Sequence, residues 1–401
     1  MEKGHTKKLI MIGIIVIVIT NFLTFYLTAN GNLSLGNKVV LDVNSQEMAD
    51  GLRKLVTLKA HIDKEYYKDV DDTVLIEGAM KGMFEATGDK YSGYYPKEEF
   101  KKLMETSTGT YSGIGVVVTE DDNGTTTVVT PYKKTPAGEA GVQIGDKIIK
   151  VNDEDVSTKG VDYTVNLMRG EPGTPVNVTV FRESGEQTFN LTRQQINTPT
   201  VDSKVSGSTG IIAITEFTEK TSDDFNEQLD ALLAQNITGL IIDLRYNGGG
   251  LVTSSVAIAD RLLGETTVVY TVDKNGKRKD YNSTEDVKLE LPIAMLVNEG
   301  TASASEILSG AIQDTKAGTL IGNQTFGKGI VQEVVPLKDD SGYKLTNAEY
   351  FTPAGRNINE KGLTPDVGVD QSEEYKKILN VPEERDLQLQ KAFEVLQMPQ
   401  Q

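Results

Sequence analysis

The sequence predicts a multidomain α+β protein: an N-terminal transmembrane helix, a helical region, a small β module and an α/β core. Three observations carry that prediction. Leu9 to Thr28 is an uncharged, largely apolar run of 20 residues. Behind it the apolar spacing changes twice, from helical to short strands and then to strand and helix in alternation. The chain also has no cysteine and only two histidines, His5 and His61. A serine hydrolase built from it therefore turns to lysine for its base.

The basic end comes first. Residues 1–8 carry Lys3, Lys7 and Lys8 against Glu2, and the apolar segment 9–29 follows. At about 1.5 Å per residue its 20 uncharged positions span a hydrocarbon core of roughly 30 Å. Lysines before the run and none just after it place the N-terminus in the cytoplasm and the rest outside. The expectation is a single-pass protein of the cell membrane. A cleaved, secreted form is the alternative, disfavoured by the length of the run and by Thr28-Ala29-Asn30, a poor small-x-small cleavage site. The net charge of −17 excludes nucleic acid as a partner. Without disulfides, stability must come from apolar burial.

Residues 30–45 read as a polar linker, and 46–105 as a helical N-terminal region. Its apolar positions Leu52, Leu55, Val56 and Ile62, then Leu75, Ile76, Ala79, Met80 and Met83, recur at helical spacing, with a break near Lys68–Asp72. Residues 106–195 form the β module. Gly113–Val118, Thr126–Val129, Ile148–Val151 and Val176–Val180 are short strands, with helical pieces near Ala137–Ala140 and Tyr163–Met168.

From 196 to 370 strands and helices alternate. Gly210–Ile214, Gly239–Leu244 and Ile293–Val297 read as strands, and Ser222–Leu233, Val252–Leu263 and Ser305–Asp314 as helices. Such alternation places a site at the ends of the strands. The tail, 371–401, is charged and helical from Glu373 to Gln397, as a packing helix or a homodimer contact.

Several motifs fail on chemistry. Gly322–Lys328 lacks the hydroxyl residue that completes a phosphate loop, since Gly329 follows, and Ile330–Pro336 reads as strand rather than helix. Ser341-Gly342-Tyr343-Lys344 has a serine-x-x-lysine spacing but falls in a hairpin turn. Ser303 fares better. It lies where a buried strand turns into a helix, so free first-turn amides face an incoming oxyanion. Thr301, Ser303 and Ser305 also read simply as alternative helix caps. A second turn, Gly248-Gly249-Gly250 after Asp243-Leu244-Arg245-Tyr246-Asn247, ends another buried strand at what should be the same sheet edge. Its glycines let backbone amides approach a carbonyl, so Gly249 and Ala304 are the expected oxyanion donors. Lys328 is flanked by Phe326, Gly327, Gly329 and Ile330 with no acid beside it in sequence. Those surroundings suit a neutral amine, and Gln332 can orient it without adding charge.

These residues together resemble the carboxy-terminal processing peptidases, a family of tail-specific serine proteases. The resemblance runs from about residue 46 to 370. It rests on Tyr66–Val70, Tyr91–Tyr95, Gly210–Ile214 with Phe217, Asp243–Gly250, Thr301–Glu306, and Phe326–Gly329 with Gln332. It implies Ser303 as nucleophile, Lys328 as general base, Gln332 as its orienting partner, and Gly249 and Ala304 as oxyanion donors. The β module then resembles a PDZ domain. Gly113, Ile114, Gly115 and Val116 stand where such domains bind a terminal carboxylate, and Arg169 is placed to sense the bound tail. Three departures occur: Gly248 replaces the usual proline before the glycine pair, Thr301 replaces a common serine, and Lys90 interrupts an Asp-Pro-Tyr-Ser run. The implied function is a membrane-tethered serine endopeptidase acting on protein C-terminal tails, with no metal and no organic cofactor. An inert PDZ scaffold and a cell-wall-directed serine hydrolase are the rival readings.

Overall fold

A computed structural model describes residues 45–121, 124–284, 288–375 and 381–397, together with two short strands, β1 (Ser34–Leu35) and β2 (Lys38–Val39). The expected transmembrane segment 9–29, the basic segment 1–8 and all but those strands and Ser45 of the linker lie outside the described residues. Among the described residues no helix is long and apolar enough to cross a membrane. The chain divides into a unit ending at Met80 and a second from Lys81 onward.

In the first unit, α1 (Gln46–Glu65) starts at Ser45, whose Oγ accepts the Met48 N–H. Serine is a favoured residue at a helix N-cap. The break at 68–72 separates it from α2 (Asp72–Glu85), as the spacing indicated.

The second unit continues with β3 (Gly93–Tyr95), a strand that the helical reading of 46–105 missed, and α3 (Lys97–Thr108). The β module then opens with β4 (Thr110–Gly113), β5 (Val116–Glu120) and β6 (Thr126–Pro131). A short helix, α4 (Pro136–Ala140), is followed by β7 (Lys147–Val151), β8 (Glu154–Asp155) and α5 (Val161–Met168). The module closes with β9 (Pro175–Arg182), β10 (Gly185–Thr192) and β11 (Gln194–Asn197). Its antiparallel sheet runs β10-β9-β7-β6-β5, and β8 pairs with β7. Ile114, Val128, Ile148, Val151 and Val178 fill its core. The predicted strand Gly113–Val118 is two strands, interrupted at Ile114-Gly115, where Gly115 takes φ 83° against the Thr135 side chain. First and last strands, β4 and β11, pair with each other.

The core follows with β12 (Val201–Ser206), β13 (Thr209–Ile214), α6 (Thr221–Leu233), β14 (Gly239–Asp243) and α7 (Val252–Leu262). Next are β15 (Thr266–Asp273), β16 (Arg278–Ser283), β17 (Ile293–Val297) and α8 (Ala304–Asp314). Last are β18 (Gly318–Gly322), β19 (Ile330–Pro336), β20 (Gly342–Phe351), β21 (Val367–Gly368) and α9 (Leu387–Gln397). One sheet runs β12-β13-β14-β17-β18-β21, parallel except at β12. Its central strands are apolar throughout because both faces are covered. Ile212, Leu240, Ile242 and Met295 pack with Phe225 and Leu229 of α6, Ile258 of α7 and Leu308 of α8. Ile211, Ile241, Ala294 and Leu296 cluster instead with Leu389 and Ala392 of α9. Within the tail, among the described residues, only Leu387–Gln397 forms this packing helix; the expected helical start at Glu373 is not found, since residues 373–375 form a turn and Glu383–Arg385 a single 3-10 turn after Pro382. A second, antiparallel sheet, β16-β15-β20-β19 with β3 added to β20, was not apparent in the alternation.

The tail is also clamped by charge. Arg245 donates to Asp243 at 2.6 Å and to Asp386 at 2.8 Å, and the Asp386 side chain is only 3% exposed. Arg245→Ala would leave Asp386 buried without its cation, so it should destabilise the protein by about 3–5 kcal/mol. Equilibrium denaturation of the two proteins measures this; an unchanged midpoint would show the clamp to be inconsequential.

Candidate active site

β14 and β17 are parallel neighbours in register from Leu240↔Ile293 to Asp243↔Leu296, so the turns that follow them leave the same sheet edge. Hydroxyls stitch the two turns together. Thr301 Oγ1 donates to Leu244 O at 2.8 Å, Ser305 Oγ donates to Asn247 O at 3.0 Å, and Ala302 N–H donates to the same carbonyl. Of the three candidate caps, only Ser303 occupies the N-cap of α8. The other two act as struts.

Ser303 has φ 56° and ψ −117°, a strained conformation for a residue with a Cβ. The strain is held by what surrounds it. Ser303 N–H donates to Glu306 Oε2 at 2.9 Å, and the carbonyl accepts from Glu306 and Ile307. Gly249, at φ 102°, packs against this bend. A Cβ added to it would lie 2.7 Å from Ala302 O, 2.8 Å from Ser303 Cβ and 2.9 Å from Ala304 N. Ser303, Ala304 and Gly249 are therefore brought together. The Ala304 amide belongs to the first helical turn and donates to no group among the described residues. The Gly249 amide is engaged, donating to Asn247 Oδ1 at 2.9 Å.

Lys328 reaches the site through a residue that the sequence reading left without a role. The Glu306 carboxylate, fully buried, accepts four bonds. Oε1 takes Thr325 Oγ1 and the Gly327 amide; Oε2 takes the Ser303 and Lys328 amides. Tyr350, also buried, sets its hydroxyl between Ser303 O at 3.1 Å and Lys328 O. Ser303 and Lys328 are thus anchored through their backbones to two shared side chains. Glu306 was legible as the glutamate, at the third helical position, of a Ser-x-x-Glu capping box. Tyr350, 47 positions from Ser303, carried no local signal.

The Lys328 amine is half-buried. Burial, then the charge of Lys344, lowers the Lys328 pKa; Asp89 and Glu306 oppose them, and Lys90 adds to the lowering. Nζ makes no hydrogen bond among the described residues, and lies 4.7 Å from the Tyr91 ring centroid. Gln332 Nε2 donates to Ile330 O at 3.3 Å, so the structure does not join Gln332 to the amine. Burial pushes the Glu306 carboxyl up, against the hydrogen bonds it accepts.

In the β module Gly113, Ile114, Gly115 and Val116 line a groove of about 250 Å³, with Val165 and Arg169 across it. Arg169 stacks 5.2 Å over Tyr111 and pairs with Glu105 of α3 at 2.8 Å. A larger cavity shares Tyr111, Val165 and Arg169 and extends to Glu216. The next residue, Phe217, exchanges hydrogen bonds with Gly249 and Leu251 of the glycine turn.

Three family models match the chain: Peptidase family S41 over residues 208–369, a PDZ domain over 112–192, and the activating protease CtpB N-terminal domain over 21–99. The carboxy-terminal processing protease CtpA of Bacillus subtilis is 35% identical over 363 residues, covering 90% of this chain and 76% of that protein. CtpB of the same organism is 36% identical over 321 residues, covering 78% and 67%. A solved putative S41 protease from Bacteroides fragilis aligns with TM-score 0.53 at 15% identity, over 90% of this chain and 98% of that one, a likeness of fold. With identity of this extent to the Bacillus proteases, and with S41 and PDZ matches on the two β-rich parts of the fold, the chain belongs to the carboxy-terminal processing proteases, serine-type peptidases that carry a PDZ domain.

Proposed function

We propose that this peptidase is a membrane-tethered endopeptidase that takes protein C-terminal tails in its PDZ groove and cleaves them with Ser303 and Lys328. The observation that carries the reading is the shared anchorage of the two residues on Glu306. A strained serine at a helix N-terminus and a desolvated lysine converge there from separate strands.

In the proposed reaction neutral Lys328 Nζ takes the proton from Ser303 Oγ as the oxygen attacks the scissile carbonyl carbon. The ammonium then returns that proton to the departing amine, leaving an acyl-enzyme that water hydrolyses. The Ala304 amide meets the developing oxyanion. The Gly249 amide joins it by exchanging Asn247 Oδ1 for the substrate oxygen. Gln332 takes up its orienting part when its amide turns from Ile330 O to the amine. Catalytic hydrogen bonds commonly tighten only with substrate bound.

Tail recognition is supported by the groove at Gly113–Val116 and by the cavity leading from it to Glu216, next to Phe217 and the glycine turn. Tethering through residues 9–29, with the catalytic part outside the cytoplasm, rests on the apolar run and its flanking lysines.

Ser303→Ala and Lys328→Ala should each abolish cleavage of an unfolded tail peptide, read by mass spectrometry, while circular dichroism stays native. Unchanged turnover in either variant would sink the mechanism. Because the active lysine is the neutral one and its pKa is depressed, kcat/KM should rise with pH through one titration. The midpoint should lie below the ordinary lysine value of 10.5. Glu306→Gln turns an amide NH₂ toward N–H donors, so it should lower kcat at least tenfold and stability by about 1–3 kcal/mol. Steady-state kinetics and denaturation together measure both effects.

A further inference from the structure

The amine of Lys328 faces an aromatic ring that lies outside the S41 match, in the segment that the CtpB N-terminal domain model covers. That ring, Tyr91, sits in a turn built with care. Asp89 Oδ1 accepts the Tyr91 amide at 2.9 Å, and Oδ2 accepts Ser92 Oγ at 2.6 Å. Ser92 Oγ in turn accepts the Thr346 amide at 2.9 Å, fastening the turn to β20. Directly after it, β3 pairs with β20 from Gly93↔Lys344 to Tyr95↔Gly342. The other edge of β20 carries β19, which begins two residues after Lys328. Ring and amine are therefore positioned from the two sides of a single strand. Burial pushes the Asp89 carboxyl up, but its hydrogen bonds, that of Ser92 foremost, and the Lys328 charge hold it below the ordinary value.

The geometry points to Tyr91 as a positioning residue for the general base: its ring face holds the Lys328 ammonium in the interval when the proton from Ser303 resides on nitrogen. The inference rests on the Ser303–Lys328 reading and deepens it. An aromatic face attracts a cation but offers a neutral amine little. The contact therefore strengthens as the serine proton arrives and weakens as it leaves. Unlike a carboxylate, a ring does this without holding the lysine permanently charged. The charged groups facing the amine are Lys344 from β20, Asp89 and Lys90 from the turn, and Glu306 from α8. Lys90 lies 4.9 Å from the same Tyr91 ring.

Tyr91→Leu and Tyr91→Phe test the assignment on the full-length protein, with kcat and KM for a tail peptide followed against pH. In Tyr91→Leu the charged amine loses its ring. The midpoint of the kcat/KM profile should move to lower pH by about half a unit or more, and the plateau kcat should fall severalfold with KM little changed. Tyr91→Phe keeps the ring face and should restore both midpoint and plateau. An unmoved midpoint in Tyr91→Leu overturns the assignment. So does an effect confined to KM, or a Tyr91→Phe variant that behaves like Tyr91→Leu. Lys328→Ala, run alongside, separates the two levels: retained turnover there removes the lysine mechanism itself, whereas its loss with unaltered Tyr91 variants removes only the role of the ring.

Discussion

A single buried carboxylate, that of Glu306, is the constraint on which the site depends. It lies on the first turn of α8 and collects donors from the Ser303 bend and from the loop that carries Lys328. An isolated carboxylate would be strongly disfavoured in such surroundings, and the four donors are what make it tolerable. The same bonds hold Ser303 at a positive φ, where a chain with no restraint would relax. Strain, burial and the meeting of two distant segments are thus one arrangement. Tyr350 completes it from the opposite side by placing one hydroxyl between the Ser303 and Lys328 carbonyls. Burial pushes its phenol well up, and the charge of Glu306 reinforces this, so it remains a donor.

Much of the core could be read from the chain because its parallel strands are short, continuous apolar runs. Gly239–Asp243 and Ile293–Val297 are buried on both faces, and that pattern survives any uncertainty about partners. Ser303 and the glycine turn were legible for the same reason, since each directly follows such a run. Gly249 stood out by its residue type, and its closeness to the Ser303 bend follows from the register of β14 and β17.

What was not legible depends on pairing across long sequence separations. β15, β16, β19 and β20 alternate exposed and buried residues only loosely, and their partners lie far apart along the chain. β3 is three residues inserted between helices, too short to carry a period, so its neighbourhood read as uniformly helical. Gln332 exposes the limit of reasoning from composition. Its position four residues after Lys328 suggested an orienting bond, yet its amide turns back to Ile330 O. Spacing along a strand fixes which face a side chain occupies, not which acceptor it selects.

The pairing of β4 with β11 has a structural consequence of its own. The chain enters the PDZ domain at Thr110 and leaves it at Asn197, and these two residues are directly opposed. The ladder carries on past them through the Thr198 amide and Gly109 O. A domain joined by two adjacent strands is a cassette on a double-stranded stalk. Its removal or exchange would leave the host with two ends one β-ladder spacing apart, a gap that a short loop can bridge. Peptide selectivity and bond cleavage can therefore diverge as separate inheritances within one polypeptide.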